Sequence, residues 1–197
     1  MRRITVALAS VDTTVGAVTS NTEKAIAFGR EIGEAGATVG VFQEQLFGGY
    51  PAEDLIQMPE FVSEQMTALK KMAQALAAFD TVYAVGIAVH AGGMPYNACA
   101  VFHHGAILGI VTKEDLPGYG VFDEPRVFSR GQPNAYATIN EIPVGDMVFE
   151  FPFGTMGAYI CEETWTPSGP LSRRSAIAEL AVVINASPNR VGVLDTR

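Results

Sequence analysis

The chain has 197 residues, of which 48% are hydrophobic and 17% charged, with two cysteines and a formal net charge of −8. A chain of this size buries about 70% of the surface that it exposes when unfolded, so its core needs neither disulfides nor a structural metal. The net charge is acidic and the sequence has no cluster of Lys and Arg, which nucleic-acid binding requires. It also has no run of about 18 apolar residues that could span a membrane. We therefore expect a cytoplasmic protein that binds a small molecule.

The first half of the chain alternates short β-rich runs with amphipathic helical patterns. In chain order it predicts a strand over residues 4–9, a helix over 20–34, a strand over 38–42, one helical turn over 52–55, a helix over 59–79 and a strand over 81–90. Ser20 and Glu23 form a capping-box pattern, which predicts that the first helix begins at Ser20. The second strand ends close to a carboxylate, Glu44, ahead of turn-forming residues 48–51.

The second half carries more hairpin and loop signals. In chain order it predicts strands over 97–102 and 106–112 joined by a turn at 103–105, a long loop over 114–146, strands over 147–151 and 157–160, a helix over 172–180 and a strand over 181–185. The strand over 147–151 is expected to pair with the strand that stops at Cys161. Strand-helix-strand units mixed with hairpins predict an α/β fold of mixed sheets covered by helices.

Reactive residues follow four of the predicted strands: Glu44, Lys113, Cys161 and the segment 185–187. Taken singly, Glu44 and Lys113 are typical of solvated strand ends, and Cys161 is typical of a small buried core residue. Taken together, a carboxylate, an ammonium and a thiol supply the base, the oxyanion stabiliser and the nucleophile of acyl transfer. The combination favours an enzyme, although each residue alone leaves the structural interpretation open.

The three histidines and the second cysteine do not suggest a metal or a cofactor. His90, His103 and His104 lack the spacing of metal ligands, and an adjacent pair in a hairpin turn is typical of a solvated surface. Cys99 lies in the middle of an apolar strand and is interpreted as a core residue. The sequence therefore predicts neither a bound metal nor a cofactor.

Six segments carry a family resemblance: residues 41–44, 49–55, 96–100, Lys113 with 116–124, 161–165 and 185–188. They resemble the nitrilase superfamily of carbon–nitrogen hydrolases, whose catalytic triad is Glu-Lys-Cys. More narrowly, the chain resembles the glutaminase domain of glutamine-dependent NAD synthetases, to which 49–55 and 116–124 are the more specific segments. The resemblance covers essentially the whole chain, so we expect residues 1–197 to form a single carbon–nitrogen hydrolase domain.

The resemblance implies a nitrilase-type α-β-β-α sandwich with mixed sheets and assigns roles to eight residues. It implies a catalytic triad of Glu44, Lys113 and Cys161, supporting roles for Glu124 and Glu162, and substrate-binding positions at Tyr119, Phe122 and Ser187. Glu124 would be a second carboxylate beside the triad, and the backbone N–H of Glu162 an oxyanion donor. Tyr119 and Phe122 are equally compatible with a structural role as loop anchors.

The implied reaction is hydrolysis of glutamine to glutamate and ammonia through a thioester, with the ammonia accepted by a synthetase domain or subunit. A homo-oligomer is implied as well. Two alternatives stay open: a stand-alone amidase or nitrilase-type hydrolase of another small amide, and a non-catalytic interaction subunit.

Three departures from the synthetase pattern keep these alternatives open. The chain carries no synthetase domain. Val193 follows Gly192 where a basic residue is usual, with Arg190 or Arg197 as replacements. The chain also stops soon after the strand 181–185, which predicts a second sheet that lacks its C-terminal strands.

Overall fold

The computed structural model describes residues 3–188 and 191–192, so Arg190, Val193 and Arg197 lie outside the described residues. Within this range the chain forms β1 (Val6–Ala9), α1 (Val18–Glu34), β2 (Val39–Phe42), α2 (Pro59–Ala75), β3 (Val82–Ala91), β4 (Met94–His103), β5 (Ala106–Thr112), α3 (Glu124–Val127), β6 (Tyr136–Ile139), β7 (Ile142–Gly145), β8 (Val148–Phe151), β9 (Gly154–Ile160), α4 (Pro170–Arg174) and β10 (Leu180–Ile184). Short 3-10 helices cover Glu53–Gln57 and Cys161–Thr164. Among the described residues, no helix is both long enough and apolar enough to cross a membrane.

Two mixed sheets form the centre of the molecule. The larger sheet has seven strands in the order β1-β2-β3-β4-β5-β7-β6, and the smaller has three in the order β10-β9-β8. Strands β2 and β3 are parallel, and two antiparallel hairpins lead from β3 to β5, so β2 and β5 run in the same direction. In the smaller sheet β9 is parallel to β10 and antiparallel to β8. The predicted mixed sheets and the pairing of residues 147–151 with the Cys161 strand are therefore confirmed.

Apolar side chains form two cores, one on each face of the larger sheet. Helices α1 and α2 cover one face, where Leu69 and Phe102 belong to the same buried cluster. The other face packs against the smaller sheet, and this second cluster joins Cys99 and Val111 to Ile160. Because successive strand residues point to opposite faces, the central strand β3 supplies both cores and is apolar almost throughout. The predicted core position of Cys99 is confirmed.

Helix α4 lies over the smaller sheet and ties it to the larger one. The guanidinium of Arg174 lies 5.6 Å from the centroid of the Tyr159 ring in β9. It donates from Nε to Asp146 at 2.5 Å and from Nη2 to Glu114 at 3.0 Å. Because Arg174 is buried with both carboxylates, it joins the segment after β5, the β7–β8 connection and α4 into one charged cluster.

Helix α1 begins at Val18, so the predicted capping box of Ser20 and Glu23 is wrong. Both residues lie inside the helix. The fully buried side chain of Asn21 instead accepts the backbone N–H of Thr14 at 2.9 Å and donates to the carbonyl of the same residue at 2.8 Å. A contact to the preceding loop therefore fixes the start of the helix, overriding the local capping pattern.

The predicted loop over residues 114–146 contains helix α3 and the hairpin of β6 and β7. The hairpin turn is formed by Asn140 and Glu141, whose φ angles are 49° and 71°. Two-residue turns with positive φ favour asparagine at the first position, so the turn was readable from the sequence. Pro143 lies within β7 opposite Thr138. It was interpreted as a residue that interrupts regular structure, so strand β7 was not predicted.

Three predicted boundaries are also wrong. Helix α2 ends at Ala75, four residues before the predicted end. Strand β4 begins at Met94, because the glycines at 92 and 93, with φ of 58° and 80°, make the whole turn by themselves. Helix α4 ends at Arg174, and Leu180 begins strand β10 where a helix end was predicted.

Candidate active site

Glu44 follows strand β2 and is held against strand β3 by backbone contacts. The N–H of Gly86 donates to the carbonyl of Gln43 at 3.1 Å, and the N–H of Leu46 donates to the carbonyl of Gly86 at 3.0 Å. A Cβ at position 86 would lie 2.5 Å from Cα of Glu44 and 2.4 Å from the carbonyl oxygen of Gln43. Glycine at position 86 therefore allows the chain that carries Glu44 to pass this close to β3.

We expect Gly86→Ala to destabilise the fold by about 1–3 kcal/mol or more and to displace Glu44, because the new methyl group meets backbone atoms. Urea unfolding measures the first effect. Gly118→Ala is the matched control, since a Cβ there meets Pro125 at an ordinary contact distance of 3.4 Å. Equal free energies of unfolding for the two variants would contradict the tight passage of Glu44 beside β3.

Lys113 directly follows β5, is 0% exposed and lies between two carboxylates. Its Nζ is 2.8 Å from Oε1 of Glu44 and 2.8 Å from each carboxylate oxygen of Glu124. Burial alone would lower the pKa of Lys113, but the two carboxylates outweigh it and raise the pKa above its ordinary value. Burial raises the pKa of Glu124 despite the nearby ammonium. Lys113 therefore stays protonated. It joins the segments that follow β2 and β5 to helix α3.

Asn97 and Tyr50 complete this cluster, although the sequence analysis gave neither a role. Nδ2 of Asn97 donates to Oε1 of Glu44 at 2.7 Å, and the hydroxyl of Tyr50 donates to Oε1 of Glu124 at 3.1 Å. A buried amide requires hydrogen-bond partners, so an asparagine inside the apolar strand β4 was a signal available in the sequence. Tyr50 lies in the segment 49–55 that carries the resemblance, but no local pattern predicted its contact with Glu124, which is 74 positions away in the chain.

Cys161 directly follows β9 with a φ of 47°, a left-handed conformation that is uncommon outside glycine. It is 4% exposed, and its Sγ lies 3.5 Å from Oγ of Ser187, which donates to Oδ1 of Asn185 at 2.7 Å. Burial and, to a smaller extent, the Glu44 carboxylate raise the pKa of the thiol to about 11, although the Lys113 ammonium opposes them. The resting thiol is therefore protonated, within electrostatic reach of Glu44 and Lys113.

Glu163, two residues after Cys161, holds the turn in place from below the surface. Its Oε1 accepts the backbone N–H of Glu114 at 2.7 Å, and its Oε2 accepts the N–H of Ile160 at 2.8 Å. These N–H groups belong to the residue after Lys113 and the residue before Cys161. Burial raises the pKa of Glu163 to about 7, although both N–H donors favour the carboxylate. One buried side chain thus joins the ends of β5 and β9.

The remaining predicted residues lie around Cys161. The hydroxyl of Tyr119 donates to Oε2 of Glu162 at 2.8 Å, and its ring meets that of Phe122 edge-on with centroids 5.6 Å apart. The N–H of Ala186 donates to Oε2 of Glu44 at 3.1 Å, so the segment with Ser187 reaches the carboxylate cluster. The structure therefore brings all eight predicted site residues to the edge where β2, β5, β9 and β10 end.

Two mixed sheets bring a buried thiol and a carboxylate–ammonium–carboxylate cluster to one edge, an arrangement suited to hydrolysis through a nucleophilic thiol. Residues 5–194 match the family model of the carbon-nitrogen hydrolases, and the chain belongs to this family. The predicted resemblance is thereby confirmed.

Known relatives include the glutamine-dependent NAD(+) synthetase of Aquifex aeolicus, which is 36% identical over 186 residues, or 93% of this chain and 30% of the relative. The solved glutamine-dependent NAD+ synthetase of Acinetobacter baumannii, in complex with ADP, is 31% identical with a TM-score of 0.81, over 98% of this chain and 34% of that one. An amidase from Nesterenkonia sp. shares the fold with a TM-score of 0.76 at 16% identity, over 96% of this chain and 67% of the amidase. The chain spans about a third of the length of its synthetase relatives.

Proposed function

We propose that this chain hydrolyses the side-chain amide of glutamine to glutamate and ammonia, with Cys161, Glu44 and Lys113 as its catalytic triad. Membership of a family that hydrolyses carbon–nitrogen bonds supports the reaction type. Similarity to glutamine-dependent NAD synthetases supports glutamine as the amide. The observation that carries the proposal is a buried thiol at the end of β9, at the same edge as the buried Glu44 carboxylate that the Lys113 ammonium holds at 2.8 Å.

The proposed reaction begins with attack of Cys161 Sγ on the amide carbon. A thiol with a pKa of about 11 is ionised in roughly one molecule in 10⁴ at pH 7, so its proton has to leave as the S–C bond forms. Glu44 accepts that proton and returns it to the departing nitrogen when the C–N bond breaks. A positioned base of this kind contributes about 10²–10⁴ in rate. Water then hydrolyses the thioester and regenerates the thiol.

The tetrahedral intermediate needs hydrogen-bond donors for its oxyanion. An ammonium has three N–H bonds; with one directed at Glu44 and one shared by the two oxygens of Glu124, the third would donate to the oxyanion. The backbone N–H of Glu162 is the proposed second donor. Loss of one such donor costs about 2.7–4 kcal/mol in the transition state. Glu124 supports catalysis indirectly by fixing the position of Lys113.

Substrate binding is proposed for the groups around the thiol. The Glu162 carboxylate, oriented by Tyr119, is available to bind the α-ammonium of glutamine. The rings of Tyr119 and Phe122 would pack against the aliphatic part of the substrate, and the Ser187 hydroxyl would contact the reacting end beside Sγ. The chain would act as one domain that supplies ammonia to a synthetase domain or subunit. The homo-oligomer and the cytoplasmic location stay predictions.

Ammonia release by the purified chain from L-glutamine, L-asparagine and propionamide tests the proposal. We expect glutamine to be the best substrate, because asparagine is one methylene shorter and propionamide lacks the ammonium that Glu162 would bind. Release from propionamide without a preference for glutamine would favour a stand-alone amidase. A folded chain that releases ammonia from none of the three would favour a non-catalytic interaction subunit.

A further inference from the structure

Two imidazoles and one carboxylate converge at the turn between β4 and β5, outside the site described above. Nε2 of His103 lies 3.2 Å from Oδ1 of Asp80, and Nε2 of His104 lies 3.3 Å from the same oxygen. One ligand atom from each of the three residues lies within 4.8 Å of the others. Asp80 follows α2 and is 23 positions from His103, which is why the spacing of the histidines alone predicted no metal ligands.

The contact of the second ring nitrogen of His104 determines whether Nε2, the nitrogen near Asp80, has a free lone pair. Its Nδ1 lies 3.2 Å from the carbonyl oxygen of Ala77, an atom that only accepts hydrogen bonds, so Nδ1 carries the proton. In the neutral ring, Nε2 then keeps a free lone pair, and it lies 3.3 Å from the Asp80 carboxylate oxygen. This lone pair, the ring nitrogen of His103 and the carboxylate oxygen of Asp80 are close enough to one another to share a cation. A histidine that donates its other N–H to a backbone carbonyl is the usual arrangement of a metal ligand.

The distances also suit a tetrahedral ion. Ligands at about 2.0–2.2 Å from tetrahedral zinc lie about 3.3–3.6 Å from each other, close to the two nitrogen–oxygen separations here. Imidazole nitrogen with carboxylate oxygen suits zinc, whereas magnesium and calcium prefer oxygen ligands alone. The side chains of His103, His104 and Asp80 are 26%, 52% and 91% exposed, so solvent can supply a fourth ligand.

We propose that Asp80, His103 and His104 form a zinc-binding site with two imidazole ligands, one carboxylate ligand and water. The histidines precede β5 and Lys113 follows it, so this strand of seven residues holds the two sites about 23 Å apart. The ion would fasten the β4–β5 turn to the segment after α2, and it takes no part in amide hydrolysis. The proposal therefore stands whether or not the chain is a glutaminase.

Calorimetric titration of Zn²⁺ into the Cys161→Ala variant, prepared without a histidine tag, tests the proposal. This background removes the active-site thiol as a competing zinc ligand. We expect one ion per chain and a melting temperature that rises with zinc concentration. His104→Gln and Asp80→Asn in the same background should each weaken binding at least 10-fold, and His90→Gln, which changes a histidine outside the cluster, should not.

A spectroscopic probe and the same variants also separate metal binding from direct imidazole–carboxylate contacts. Co²⁺ bound at this site should give the visible absorption of a tetrahedral complex, which Asp80→Asn abolishes. All three substituted side chains are at least partly exposed, and circular dichroism of each variant verifies its fold. No measurable zinc binding, or affinity unchanged by both His104→Gln and Asp80→Asn, would overturn the proposal and leave only direct contacts between the imidazoles and the carboxylate.

Discussion

Cys161→Ala is expected to lower ammonia release from glutamine by about 10⁴-fold or more while leaving the fold intact. The substitution removes the one atom proposed to bond to the substrate carbon. It deletes a single sulfur from a side chain that is in contact with Ser187 and leaves the charged cluster of Lys113 unchanged. Steady-state ammonia assays give the rate, and circular dichroism with thermal unfolding reports the fold.

Cys99→Ala is the matched control for this experiment. Cys99 is also buried, and burial raises the pKa of its thiol to about 12. Unlike Cys161, it packs in the core between the two sheets. Its replacement should lower the melting temperature and leave the rate of ammonia release near that of the wild type. Ammonia release that persists in folded Cys161→Ala, or is lost equally in Cys99→Ala, would contradict the nucleophile assignment.

The positions of Glu44, Lys113 and Cys161 could be predicted because strand patterns are local. Apolar runs of strand length mark β2, β5 and β9, and each reactive residue comes one or two positions after such a run. Strand direction does the rest. Two hairpins between β3 and β5 make β5 parallel to β2, so the C-terminal ends of both strands reach the same edge of the larger sheet.

The supporting contacts could not be predicted, since they join segments far apart in the chain. Tyr50 contacts Glu124 across 74 positions, and Glu163 contacts Glu114 across 49. The start of α1 was mispredicted for the same reason, because Asn21 binds a neighbouring loop where the sequence offers a plausible local cap. Hydrogen bonds that depend on the tertiary fold override local propensity at these points.

The same contacts explain how the site keeps an unfavourable geometry. Cys161 adopts a left-handed backbone conformation, and such strain persists only where the surrounding structure imposes it. Glu163 imposes it by binding the N–H of Ile160, the residue before Cys161. Gly86 makes a comparable contribution at Glu44 by allowing two backbones to approach closely. The predicted residues supply the chemistry, and the residues that sequence reasoning missed hold them in position.

Lys113→Met is expected to destabilise the fold by about 3–5 kcal/mol at neutral pH and to abolish ammonia release. Methionine fills much of the same volume but leaves the Glu44 and Glu124 carboxylates buried without the ammonium that lies 2.8 Å from each. Two neighbouring buried carboxylates cannot both stay ionised, so at least one takes up a proton. A protonated Glu44 cannot accept the proton of the Cys161 thiol. Urea unfolding and ammonia assays measure the two effects.

The pH dependence of stability shows whether unpaired carboxylates cause the loss. In Lys113→Met the pKa of Glu124 should rise further above its ordinary 4.5, because burial already raises it and the ammonium that opposes burial is gone. Between the ordinary pKa and this raised pKa, the folded state binds more protons than the unfolded state. The stability that Lys113→Met loses relative to the wild type should therefore shrink as pH falls from 8 towards 5. Arg126→Met is the control, since Arg126 pairs with Asp54 and Asp123 at the exposed surface.

The Lys113→Met, Glu124→Gln double variant separates charge from lost packing. It removes one of the two carboxylates, so it should recover part of the stability lost in Lys113→Met and flatten its pH dependence, while remaining inactive. Arg126→Met should differ little from the wild type at any pH, because solvent screens an exposed pair. If Lys113→Met were as stable as Arg126→Met at pH 8, the ammonium would not be what permits two carboxylates at this edge of the sheet.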